Sequence, residues 1–64
     1  MRTVKLPLPW TIKSIAIAMD VTAEEIIAKL REKGAPPSVN QNSTLDPDIA
    51  KIIGLKYLCY LEAE

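Results

Sequence analysis

Few side chains in this sequence are of the types that do chemistry, and their spacing decides what each can do. Glu24 and Glu25 are adjacent carboxylates. On a helix, neighbours point about 100° apart, so the two cannot oppose each other as acid and base across one substrate. They suit the start of a helix, where negative charge is favoured. Asp46 and Asp48 flank Pro47 in the same kind of position, with no third oxygen ligand nearby to suggest calcium. Cys59 is the only thiol and there is no histidine, which excludes a disulfide framework and the ordinary structural zinc sites. A reactive thiolate needs a cation or base beside it, and Lys56, three residues away, would point to the other face of a strand. The two glycines, Gly34 and Gly54, do not form a phosphate loop. No catalytic residue, metal site or cofactor is expected, and no small-molecule substrate.

What remains is chemistry of contact. Lys29, Arg31 and Lys33 gather at the end of one predicted helix, and Asn40 and Gln41 follow in a polar loop, a set suited to RNA backbone. The plainer alternative is a solvated face with an ion pair from Glu25 to Lys29. Tyr57, Leu58 and Tyr60 lie in a low-charge segment that could pair with a second copy or a partner chain. Trp10, between prolines and a helix start, fits a core lid better than a base-stacking platform.

These residues must be positioned by a small frame. At 64 residues the chain is expected to be one domain over 1–64, burying only about 60% of its unfolded surface. Such cores leave a margin of about 3 to 5 kcal/mol and little room for a deep cavity, which argues against an enzyme. Eight Lys and Arg balance eight Asp and Glu, so the mean field is weak and does not steer the chain onto nucleic acid. The start of the chain lacks the apolar run of a signal peptide, no stretch is long enough to span a membrane, and a cytoplasmic setting is expected.

Val4, Leu6 and Leu8 alternate with Lys5 and Pro7, predicting a short strand confined to an edge or end by its proline. Thr11 caps a predicted helix over 12–19, with Ile12, Ile15, Ala16 and Met19 on one stripe. After an Asp20-Val21 turn, Thr22 and Glu25 form a capping-box pattern opening a second helix over 23–33, striped by Ala23, Ile26, Ile27 and Leu30 and stopped by Gly34. Residues 38–43 read as the most mobile loop, with a short strand around Val39. Asp46 and Pro47 start a third helix of about two turns ending at Gly54, and 55–61 reads as a strand exposed on one face. The predicted fold is α+β: a helix-turn-helix pair and a short third helix on a small sheet, in the order β-α-α-(β)-α-β.

The order of these features resembles the N-terminal module of bacterial translation initiation factor two. The likeness runs from the strand at Val4 to Pro9, through the Thr-led helix to Met19 and the helix Ala23 to Gly34 with its Lys29-Leu30, to Asn40-Gln41, Leu45-Asp46, Ala50 and Gly54. It covers Val4 to Tyr57; 42–44 is longer, the last helix shorter, and the tail 58–61 different. The resemblance implies a small non-enzymatic α+β domain that helps its parent factor engage the ribosome, RNA or another initiation component. The expected contact residues are Lys29, Arg31, Lys33, Asn40 and Gln41, in helix 23–33 and loop 34–42. Two other functions are open to the residues: a protein-interaction or homodimerisation module using 55–61, and a helix-turn-helix DNA-binding regulator. The second is disfavoured by Glu24 and Glu25 where bases would be read.

Overall fold

A computed structural model describes residues 1–64. Its elements are β1 (Arg2–Leu6), α1 (Ile12–Met19), α2 (Ala23–Glu32), α3 (Pro47–Lys56) and β2 (Cys59–Ala63). The expected α+β class holds, without the bracketed strand: Val39 is irregular, its N–H donating to the Pro36 carbonyl, and the middle of the chain contributes only an isolated bridge between Thr11 and Thr44.

The first and last elements pair in parallel, Arg2 opposite Cys59 and Leu6 opposite Ala63. Parallel strands need a long crossover, and all three helices supply it. Val4 and Leu6 turn toward the core, and Pro7 follows directly where the ladder ends. Leu8, which the alternation placed on that strand, lies beyond it and is exposed.

The core gathers Trp10, Ile12, Ile15, Ala16 and Met19 with Ile26 and Leu30, Ala50 and Ile53, and Cys59 and Leu61. Trp10 is its largest side chain. Its Nε1 donates to the Leu6 carbonyl at 3.1 Å, which satisfies the one polar atom of the buried ring, and its backbone carbonyl accepts from Leu45 N at 2.8 Å.

Capping is distributed differently from the prediction. The reciprocal box forms at α1: Thr11 Oγ1 accepts from Ser14 N, and Ser14 Oγ accepts from Thr11 N. At α2, Thr22 Oγ1 accepts from Glu25 N at 3.3 Å, one half of the box. Asp20 closes α1 in the left-handed conformation, donating its N–H to the Ala16 and Ile17 carbonyls, and Gly34 (φ +93°) follows α2 as expected.

The largest correction concerns the end of α3. The helix does not stop at Gly54 but continues to Lys56, so Leu55 and Lys56 are helical, Tyr57 is the C-cap, and the strand starts only at Cys59. Gly54 is buried, and a Cβ placed there would lie 2.7 Å from the Cys59 carbonyl oxygen and 3.3 Å from Leu61 Cγ. The glycine therefore permits helix and strand to approach, at a helix-propensity cost of about 1 kcal/mol. Leu58 makes the turn in the left-handed region at φ 57°, where glycine is the usual residue. No helix is long and apolar enough to cross a membrane.

Candidate functional site

α2 is anchored by Ile26 and Leu30, whose burial fixes which way its other side chains face. Lys29 and Lys33, four residues apart, share one flank; Arg31, two residues from each, is carried about 200° around the helix. The three cations are thus not one patch. Lys29 is half-buried, with Nζ 5.4 Å from the centroid of the Tyr57 ring, and the Tyr57 hydroxyl donates to Glu25 Oε2 over a long 3.5 Å. Glu25 and Lys29 both engage Tyr57, which joins α2 to the end of α3. Arg31 and Lys33 are exposed.

Tyr57 and Leu58 do not belong to a strand interface. Leu58 is exposed at the turn, and of the three residues assigned to that interface only Tyr60 lies on β2, opposite Thr3. Its neighbours Cys59 and Leu61 are wholly buried, because alternation along β2 turns them onto the helices. The Cys59 thiol is therefore a core group.

The polar loop is tied down rather than loose. Asn40 Oδ1 accepts from Asn42 N at 2.8 Å, and Asn40 N donates to Ser43 Oγ at 3.0 Å. The Gln41 carbonyl accepts from Lys13 N at 2.9 Å and the Ser43 carbonyl from Ile12 N at 3.0 Å. The loop thus satisfies the first amides of α1, which helices otherwise leave without partners. Asn40 is committed to loop geometry and Gln41 is tied through its backbone, both at the start of α1.

A feature the sequence reading missed lies beside Lys33. An open apolar groove of about 320 Å³ runs between the end of α2 and α3, lined by Leu30, Lys33, Ala35, Ile49, Ile52 and Ile53. Ile49, Ile52 and Leu55 follow one another three residues apart on α3, and all are exposed, Ile52 by 55%. The spacing was readable, but treating α3 as two turns ending at Gly54 hid it. The groove has no His, Cys, Asp or Glu in its wall, and no three such side chains gather in the fold to hold a metal. It can bind, and its one charged lining residue is a cation.

Neither the curated proteins nor the solved structures contain a match to this chain. Residues 8–58 match the family described as the translation initiation factor IF-2 N-terminal region. That span contains all three helices, the Lys29 to Lys33 segment and the groove, and ends just before β2. With most of its length and every helix inside the match, the chain belongs to the translation initiation factor IF-2 N-terminal region family.

Proposed function

We propose that this chain is a non-enzymatic adaptor module of translation initiation that engages the small ribosomal subunit through the end of α2 and the segment after it. One observation carries this reading. Arg31 and Lys33 are exposed at the end of α2, and Lys33 borders an apolar groove, whereas the start of α1 is already satisfied by its own loop. Contact therefore falls to the α2–α3 end of the domain. Lys33 and Arg31 are its outward cations, Lys29 contributes from its seat over Tyr57, and Asn40 and Gln41 hold the loop that follows. A family of initiation-factor regions supplies the setting, translation, and a cytoplasmic location goes with it.

The alternatives are less well supported. The protein-interaction or homodimer reading takes Tyr57, Leu58 and Tyr60 as one strand surface over 55–61, and only Tyr60 lies in β2. The DNA-regulator reading needs the start of α2 at base edges, where Glu24 and Glu25 stand exposed.

The adaptor reading predicts that the purified domain pellets with small ribosomal subunits at near-physiological salt and not with bulk duplex DNA. Replacing Lys29, Arg31 and Lys33 together by alanine is expected to weaken pelleting about tenfold, equivalent to about 1.4 kcal/mol, and to flatten its salt dependence. Far-UV circular dichroism should be unchanged, since Arg31 and Lys33 are exposed and Lys29 only half-buried. Equal pelleting by the triple variant would remove these residues from the interface.

A further inference from the structure

We infer that the groove between α2 and α3 is the seat for an amphipathic helix of a protein partner, with apolar residues on one face and acidic residues flanking them. This deepens the adaptor reading and rests on it, since it states what part of the partner the α2–α3 end receives.

α3 has a wider apolar arc than its core face uses. Ala50, Ile53 and Gly54 face the core and are buried. Continuing round the helix wheel from Ile53 lie Ile49, Ile52 and Leu55, exposed by 44%, 55% and 47%. The fold leaves this part of the arc uncovered. Side chains three apart form one of the ridges by which helices interdigitate, so the shape offered is that of a helix surface awaiting another helix. Leu30 and Ala35 form the opposite wall and Lys33 its polar edge.

Charge complementarity selects the occupant. The side chains interleaved with the apolar ridge are Lys51, Lys56 and Asp48, and the groove adds Lys33. Three cations therefore face one acid around an apolar strip, in a chain whose net charge is zero. A second copy would set Lys33, Lys51 and Lys56 against a similar surface with only Asp48 to pair with them. Phosphate backbone would have to lie against isoleucine and leucine, losing hydration without gaining hydrogen bonds. A helix with apolar anchors and glutamates on both flanks meets the ridge and the lysines together.

The test uses the whole chain, isotope-labelled for amide mapping, with four probes. One is a synthetic helical peptide of about 15 residues with leucines at the i, i+3, i+4, i+7 spacing and glutamate elsewhere. The second has the same leucines with lysine replacing glutamate. The third is a single-stranded RNA oligonucleotide, and the fourth is the chain itself at rising concentration. The expected result is saturable binding of the acidic peptide alone, with shifts centred on Lys33, Gly34, Ile49, Ile52 and Leu55. Ile52→Glu and Lys33→Glu should each lower the affinity at least tenfold with thermal unfolding unchanged, as both positions are exposed. The proposal is overturned if the acidic peptide does not bind, binds elsewhere or loses nothing in either variant. Equal binding by the basic peptide, shifts of the same amides by RNA, or self-association through them would also overturn it. Should the peptide fail while subunit pelleting persists, the adaptor reading stands and only the occupant is wrong.

Discussion

Replacing Trp10 by alanine is expected to leave the chain unfolded at 25 °C. Trp10 is the largest side chain in the core and is 1% exposed. Truncating a buried aromatic costs about 3 to 5 kcal/mol, and a domain of this size has a margin of about the same amount. The ring also links two parts of the chain, packing in the helical core while its Nε1 donates to β1 at Leu6; the bond from Leu45 N goes to the Trp10 backbone carbonyl, which the truncation keeps. Trp10→Phe keeps most of the apolar volume and loses the Nε1 bond. The Leu6 carbonyl would still accept from Glu64 N at 2.9 Å, so this variant should fold with a loss of about 1 kcal/mol. Amide chemical-shift dispersion separates the outcomes. Collapse of dispersion in Trp10→Ala and its retention in Trp10→Phe is the expected pattern, and a fully dispersed Trp10→Ala spectrum would show that the core does not depend on the ring.

Gly54→Ala is the second large effect, and its sign runs against helix propensity. In an exposed helix interior the change would stabilise by about 1 kcal/mol. Here the new methyl would lie 2.7 Å from the Cys59 carbonyl oxygen, a backbone atom that cannot rotate away. α3 and β2 would have to separate, disturbing Cys59 and Leu61, both fully buried. Overpacking of this kind costs about 1 to 3 kcal/mol. We expect urea unfolding to show net destabilisation of that order; a midpoint equal to or above that of the parent would mean that α3 and β2 are not as closely apposed as described.

The same glycine shows where sequence reading reached its limit. The starts of the helices were legible because they are set by local chemistry: Thr11, Thr22 and Asp46 each accept a hydrogen bond from an amide two or three residues ahead. The stripes through Ile12, Ile15 and Ile26 identified the core for the same reason. Gly54 was read as a stop because glycine commonly ends helices, whereas here its missing side chain serves a contact with a strand that begins five residues later. Leu58, a residue seldom found in the left-handed region, makes the turn instead, and alternation through 55–58 therefore looked like strand.

At the site, the basic composition of the end of α2 was visible, but the tertiary partners of its residues were not. Tyr57 reaches Lys29 and Glu25 across about thirty positions of sequence, and no local pattern reports that. Asn40 and Gln41 have the composition of a free recognition loop, yet the open amides of α1 take up the loop's hydrogen bonds. The groove arises only when the uncovered sector of α3 is set beside Lys33 and Ala35.

The central claim is that the α2–α3 end of the domain meets the small ribosomal subunit. Amide hydrogen exchange of the whole chain, with and without saturating subunits, tests it most directly. Added protection is expected over 29–35 and 49–56 and no change over 40–45, where the amides of Asn40, Asn42, Ser43 and Leu45 already donate within the loop and to the Trp10 carbonyl. Protection confined to β1, β2 or the first turn of α2, with 29–35 and 49–56 exchanging as in the free chain, would contradict it.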